Sequence, residues 1–246
     1  RNYMLKLKED SILRKIIPRK LLTLIKFYQI FNKEYGHSHF INGFVHDGNN
    51  NPLPWITYPC IEFLNRLNLA GCEVFEYGSG SSSLFWSKKA KGVTSVEKEH
   101  DWFLKVEKFL PSNCNITHAK TDKEYVEHIN TFNKKFDIII VDGAVRYPCA
   151  QEALKNITER GIIILDNTEW YPNTAKLLTS KGYTQIDFIG FPPINAFPST
   201  TSIFFKSSEL INNTIDEKKW APMGGRYLNA YDDVEFDKID KGLIKN

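Results

Sequence analysis

The sequence has few cysteines, little excess charge of either sign and no long apolar run. It contains four cysteines in 246 residues and no CxxC pair, which argues against a disulfide framework or a structural zinc site and favours a reducing compartment. Basic residues number 32 against 29 acidic ones, so the strong basic excess typical of nucleic-acid binding is missing. No apolar stretch approaches the roughly 20 residues of a membrane-spanning helix, and no signal-peptide pattern is present. We therefore expect a soluble cytoplasmic protein with neither a membrane span nor a nucleic-acid partner.

Composition divides the chain into three parts. Residues 1–50 form a helical and loop extension, and the basic stretch 1–35 is interrupted by Pro18, which predicts two short helices. We expect this extension to pack on the main domain or on a second copy of the chain. The alternatives therefore include a homo-oligomer and, less favoured, peripheral contact with an anionic membrane. Residues 51–206 form the main domain, and residues 207–246 form a polar tail.

The main domain alternates between helical segments and short apolar runs bounded by turn residues. These runs predict seven strands: Val74–Tyr77, Val93–Val96, Asn115–His118, Phe136–Val141, Ile162–Leu165, Tyr183–Ile189 and Ser202–Phe205. Strands alternating with helices are typical of a doubly wound, Rossmann-like α/β fold with a mostly parallel sheet. The last two strands have no room for a crossover helix between them, so we expect an antiparallel carboxy-terminal hairpin.

The strongest local motif joins the first predicted strand to a helix. Gly78 and Gly80 let the chain turn sharply and approach a ligand without a Cβ in the way. The next strand ends in Glu97, a position from which a carboxylate can accept both hydroxyls of a ribose. The turn and this acid together predict a nucleoside-binding crevice.

Two features of this motif bear on which nucleoside is bound. The dinucleotide fingerprint GxGxxG has a third glycine where this chain has Ser83. In addition, Glu76 precedes the turn, where it could bind the ammonium of an amino-acid moiety but would repel a pyrophosphate. These features favour S-adenosylmethionine, a nucleoside that carries an amino acid, over a dinucleotide.

Over residues of about 55–206 the chain resembles the class I S-adenosylmethionine-dependent methyltransferases. The resemblance implies that S-adenosylmethionine is the cofactor and that the protein transfers its methyl group. It implies that Glu97 binds the ribose, that Asp122 lies near the adenine and that Asp142 borders the cofactor. The residues that would hold the methionine part are Glu76, Gly78, Ser79, Gly80 and Ser81.

A second group of polar residues follows the fourth and fifth strands. Asp142, Asp166 and Asn167 should meet at the carboxyl edge of the sheet, and their oxygens suit Mg²⁺. This arrangement is similar to the metal-dependent O-methyltransferases of the catechol and caffeoyl-coenzyme A type. Where those enzymes have a lysine as general base, this chain has Val145, with Arg146 beside it. We therefore expect either a Mg²⁺ site or, without metal, Asp142 as the general base and Arg146 as a cation for an anionic substrate.

The sequence constrains the methyl acceptor less than it constrains the cofactor. Trp170 and Tyr171 follow the metal-site motif and are the candidate walls of a substrate pocket. The favoured function is O-methylation of a small molecule or a sugar. Two alternatives remain open: a non-catalytic nucleoside-binding module, and an NAD-dependent oxidoreductase, which Ser83 and the terminal hairpin disfavour.

Overall fold

The computed structural model of the protein describes residues 18–214 and 222–225. A seven-stranded sheet has the order β5-β4-β3-β6-β7-β9-β8, and within it β9 runs antiparallel to the other six strands. A separate two-stranded hairpin, β1–β2, precedes it. The strands are β1 (Phe40–Ile41), β2 (Phe44–Val45), β3 (Glu73–Tyr77), β4 (Gly92–Glu97), β5 (Cys114–His118), β6 (Phe136–Val141), β7 (Ile157–Leu165), β8 (Thr184–Gly190) and β9 (Ser199–Phe205).

Helices connect the parallel strands and cover both faces of the sheet. They are α1 (Arg19–Lys33), α2 (Tyr58–Asn65), α3 (Ser81–Ser87), α4 (His100–Glu107), α5 (Asp122–Glu127), α6 (Arg146–Asn156), α7 (Pro172–Ser180) and α8 (Glu209–Asn212), with 3₁₀ turns at His128–Thr131 and Thr168–Trp170. The chain leaves β3 toward β4 on one side of the sheet and later returns to pair β6 on the other side. The carboxyl ends of β3 and β6 therefore flank the topological switch point, where open α/β sheets bind ligands.

Successive residues of the central strands enter two separate cores. Ile138 and Ile140 of β6 pack on one face, while Ile139 and Val141 pack on the other. All six residues of β6 are buried, because a strand in the middle of a parallel sheet is covered on both faces. The sequence prediction of a doubly wound, mostly parallel seven-stranded sheet with a terminal antiparallel hairpin is confirmed.

Two elements differ from the prediction. The segment read as a loop before the main domain contains the hairpin β1–β2, whose turn residues Asn42 and Gly43 both have positive φ (54° and 81°), as an Asn-Gly hairpin turn requires. Strand β7 begins at Ile157 rather than Ile162. The apolar pattern did not include the beginning of this strand because its residues are polar. Thr158 and Arg160 donate there to the carboxylate of Asp137 on β6, at 3.1 and 3.3 Å.

The two predicted extensions are described only in part. The second predicted helix of the amino-terminal extension is α1, and the first lies in residues 1–17, outside the described range. In the polar tail, Leu210 of α8 is buried in the core and Thr214 pairs with Leu67. Residues 215–221 and 226–246 of the tail lie outside the described residues. None of the described helices has both the length and the apolar character needed to cross a membrane.

Candidate functional site

A cavity of about 800 Å³ opens at the carboxyl ends of β3, β4, β6 and β7. This volume lies within the range of roughly 300–1,000 Å³ seen for small-molecule sites. The Gly-rich turn forms part of its floor, and the hairpin β1–β2 and the loop between β8 and β9 form part of its walls. The position agrees with the switch point of the sheet.

The turn after β3 has backbone angles that favour glycine. Gly78 has φ +111° and Gly80 has φ +143°, values that side-chain-bearing residues rarely adopt. A Cβ at Gly80 would lie 3.1 Å from the indole of Trp102, whose Nε1 donates to the carbonyl of Ser79 at 3.0 Å. At the start of α3, the Ser81 hydroxyl accepts from the Val45 amide at 2.7 Å and so ties the hairpin to the turn.

Glu76, at the end of β3, is a buried carboxylate with one unpaired oxygen. Its Oε2 accepts from the hydroxyls of Ser83 at 2.6 Å and Ser95 at 2.9 Å. Its Oε1 accepts no hydrogen bond of good geometry from the described residues, although the Ser82 hydroxyl is close enough to lower the pKa of this carboxyl. The side chain is 1% exposed, and burial raises its pKa from 4.5 to about 7 against the effect of the serine hydrogen bonds. A positively charged group in the cavity would satisfy Oε1 and lower this pKa.

Ser83 and Ser95 were missed as functional residues. In the sequence Ser83 looked like a missing third glycine, whereas in the structure its hydroxyl orients the Glu76 carboxylate. Ser83 lies in the first turn of α3 and faces Glu76 on β3. This contact could not be read from the sequence, because it depends on how α3 packs against β3 and β4.

Glu97, at the end of β4, has partners for both of its oxygens. Oε1 accepts from the backbone amides of Lys98 at 2.8 Å and Glu99 at 3.0 Å, and Oε2 accepts from the Ser79 hydroxyl at 2.7 Å. The carboxylate is buried and lines the cavity. The Ser79 bond joins the two halves of the predicted nucleoside motif, so Glu76, the turn and Glu97 do lie around one cavity.

Asp122 lies apart from these residues. It begins α5 and forms an ion pair with Lys98. Its side chain is mostly exposed, and it does not line the cavity, although Lys98 does. The structure therefore separates Asp122 from the other predicted cofactor residues.

Asp142, Asp166 and Arg146 form one cluster at the ends of β6 and β7. The Arg146 guanidinium donates to Asp142 Oδ1 at 3.1 Å, to the Gly143 carbonyl at 3.1 Å and to the Asp166 carbonyl. It also stacks on Tyr171, 4.5 Å from the ring centroid. Burial and the charge of Asp166 raise the pKa of Asp142, and the Arg146 cation opposes this rise.

The predicted Mg²⁺ site finds no support in this cluster. Asp166 Oδ1 accepts from Thr201 at 2.5 Å, and the Asn167 amide donates to Ser199 at 2.9 Å. Arg146 already supplies the positive charge beside the acids. Across residues 18–214 and 222–225, no group of three or more His, Cys, Asp or Glu side chains is placed to hold a metal ion.

The two predicted substrate residues separate. Trp170 is exposed and lines the cavity, whereas Tyr171 packs on Arg146 and lines a shallower neighbouring groove instead. Sequence reasoning missed three other aromatic residues of the cavity mouth: Phe40, Trp55 and Phe197. They come from segments distant in sequence, so no local pattern could bring them together.

The chain is similar to several solved structures. Precorrin-6y C5,15-methyltransferase from Geobacter metallireducens GS-15 matches with a TM-score of 0.50 and 13% identity, over 61% of this chain and 87% of that one. Spermidine synthase from Thermotoga maritima matches at 0.48 and 16%, over 76% and 73%. An O-methyltransferase of tomaymycin synthesis from Streptomyces achromogenes matches at 0.45 and 12%, over 66% and 82%.

No family model matches the sequence, and no curated protein matches it. The strand order and the likeness to the Geobacter structure show that the chain has the fold of the class I S-adenosylmethionine-dependent methyltransferases. At 13% identity this likeness defines the architecture, and the reaction has to be argued from the site.

Proposed function

We propose that the protein is an S-adenosylmethionine-dependent methyltransferase that methylates an oxygen of a small molecule. The observation that carries the proposal is the unpaired Oε1 of Glu76. It belongs to a buried acid that lines a cavity large enough for a nucleoside. A buried carboxylate without a counter-charge is costly, and the ammonium of a bound amino-acid moiety would supply one.

The surrounding residues fit the same cofactor. Glu97 is held at the cavity edge by two backbone amides, in position to bind ribose hydroxyls. The turn Gly78–Gly80 offers a close backbone approach beside Glu76. A dinucleotide fits less well, because its pyrophosphate would have to lie beside the carboxylate of Glu76.

Bound S-adenosylmethionine would supply an activated methyl group, whose bond to sulfur breaks as the bond to the acceptor oxygen forms and S-adenosylhomocysteine is left. The chain's own contribution is to orient the acceptor and take its proton. Asp142 lines the cavity and has a raised pKa, so we assign it the role of proton acceptor. Arg146 fixes this carboxylate and is a positioning residue.

Calorimetry with S-adenosylhomocysteine tests the proposal. We expect micromolar binding by the wild type and a loss of at least tenfold, about 1.4 kcal/mol, in Glu76→Gln and in Glu97→Gln. Glu107→Gln is the matched control, because Glu107 is exposed on α4 and does not line the cavity. Binding of NADH without any response to S-adenosylhomocysteine would contradict the proposal.

A further inference from the structure

Four aromatic side chains surround the mouth of the cavity. Phe40, Trp55, Trp170 and Phe197 all line it and remain 49%, 51%, 59% and 51% exposed. In the described part of the chain none of these rings contacts another ring or a cation, whereas the exposed Phe27 stacks on a neighbouring ring. Exposed apolar surface that converges on a cavity is typical of a ligand-binding groove. We call these four residues the aromatic rim.

Among the described residues that line the cavity below the aromatic rim, each side-chain cation already has an acidic partner. The charged residues that line this cavity are mostly acids: Glu76, Glu97, Glu99, Asp142 and Asp166. The two cations that line it are Lys98 and Arg146, and each is already bound to an acid, Asp122 and Asp142 respectively. With the cofactor on Glu76 and Glu97, a phosphate on the acceptor would lose its hydration and lie beside the carboxylates of Asp142 and Asp166, where Arg146 is already paired.

From the aromatic rim and this charge distribution we infer the class of the acceptor: an uncharged hydroxylated ring compound, either a phenol or a sugar. The inference rests on the proposed function and extends it to the substrate. The flat apolar face of the ring packs on the aromatic rim, which covers surface now exposed to water. Its hydroxyl then points down toward Asp142. Because both lining cations are paired with acids, we expect a phosphate monoester to bind more weakly than the neutral ring.

The test measures binding of matched probes to the full chain in the presence of S-adenosylhomocysteine. The probes are catechol and methyl α-D-glucopyranoside, each with its phosphate monoester, together with a short RNA. Ligand-observed NMR titration should show that at least one neutral ring binds at least tenfold more tightly than its phosphate. The neutral probe that binds distinguishes a phenol from a sugar. Failure of both neutral probes to bind, or binding of a phosphate or the RNA at least as tight, overturns the inference.

Variants connect this preference to the aromatic rim. Trp170→Ala and Phe197→Ala should weaken binding of the neutral ring by about threefold to tenfold. Tyr28→Ala is the control, because Tyr28 is 66% exposed on α1 and does not line the cavity. Equal affinities in all three variants would contradict a role of the aromatic rim.

The two proposals can fail separately in this experiment. If the wild type does not bind S-adenosylhomocysteine, the proposed function fails. If it binds S-adenosylhomocysteine but shows no preference for the neutral ring, only the acceptor inference fails.

Discussion

The cavity has two acidic ends that differ in one respect. At the ends of β6 and β7, Asp142 and Asp166 share the cation of Arg146, which the chain itself supplies. At the end of β3, Glu76 is more deeply buried and has one oxygen that accepts no hydrogen bond of good geometry from the described residues. The first end therefore has its counter-charge within the described residues, whereas at the second we propose that the ammonium of a bound ligand supplies it. Two acids at neighbouring strand ends do not by themselves indicate a metal site, because a nearby arginine can take the place of the metal.

The largest expected effect comes from removing Arg146, the cation at the ends of β6 and β7. Arg146→Met would leave two acids without their counter-charge and free the carbonyls of Gly143 and Asp166, so we expect a loss of about 3–5 kcal/mol in the free energy of unfolding. Urea denaturation measures it. Lys155→Met is the control, because the Lys155 side chain is 66% exposed and its partner Glu152 also accepts from Asn130, so stability should change by less than about 1 kcal/mol. Similar losses in the two variants would contradict the assignment of Arg146.

The next effect is the contribution of Glu76, at the end of β3, to the pH dependence of the free energy of unfolding. The pKa of Glu76 is raised by folding to about 7, so its protonated form stabilises the fold at low pH and this contribution is lost as the pH rises through about 7. Between pH 5 and pH 8 the ligand-free wild type should lose about 2–3 kcal/mol more than Glu76→Gln. Unfolding curves at both pH values check this, since the other acids are common to both proteins. Parallel pH profiles of the two proteins would contradict this prediction, because they would show that the ionised Glu76 carboxylate is already stabilised in the ligand-free protein.

A smaller effect should follow from removing one donor to Glu76. In Ser83→Ala the carboxylate keeps its bond from Ser95 but loses the shorter one, so S-adenosylhomocysteine binding should weaken by about fivefold, near 1 kcal/mol. Ser87→Ala, on the same helix, is the matched control, because its hydroxyl donates to the Leu84 carbonyl. Calorimetry should find the control unchanged, and an equal loss in both variants would point to a general effect on α3.

The smallest effect is expected at Asp122, which was predicted to lie near the adenine but does not line the cavity. Its ion pair with Lys98 is partly exposed to solvent and should be worth less than about 1 kcal/mol. Asp122→Asn should therefore change both stability and S-adenosylhomocysteine affinity little, the affinity by less than about twofold. A tenfold loss of affinity would restore Asp122 as a cofactor residue.

The strands could be predicted where apolar runs are bounded by turns. Strand β6 was predicted at its observed bounds, Phe136–Val141, because a strand buried on both faces is mostly apolar and Asp137 is its one charged residue. The polar beginning of β7 was missed, since Thr158 and Arg160 belong to the strand through bonds to Asp137. The hairpin β1–β2 was missed although its Asn42–Gly43 turn was visible in the sequence.

The site was predictable only where one motif carries it. Glu76 and the glycine turn are contiguous, and Glu97 follows one strand later, so their meeting follows from the fold. The sequence does not show which acid has a hydrogen-bond donor or a counter-charge, because these partners meet the acids only in the folded chain. Ser83 donates to Glu76, and Arg146 pairs with Asp142. The same reason hid the aromatic rim, whose four rings come from four separate segments.

The pH dependence of S-adenosylhomocysteine binding tests the central claim, that Glu76 awaits a cationic ligand, most directly. The ligand's ammonium should bind the ionised carboxylate, whose pKa in the free protein is about 7. Calorimetry should therefore show wild-type affinity rising about tenfold from pH 6 to pH 8, with proton release at the lower pH. Glu76→Gln should bind weakly and with little change over this range. A flat pH profile in the wild type, or tight binding by Glu76→Gln, would contradict the claim.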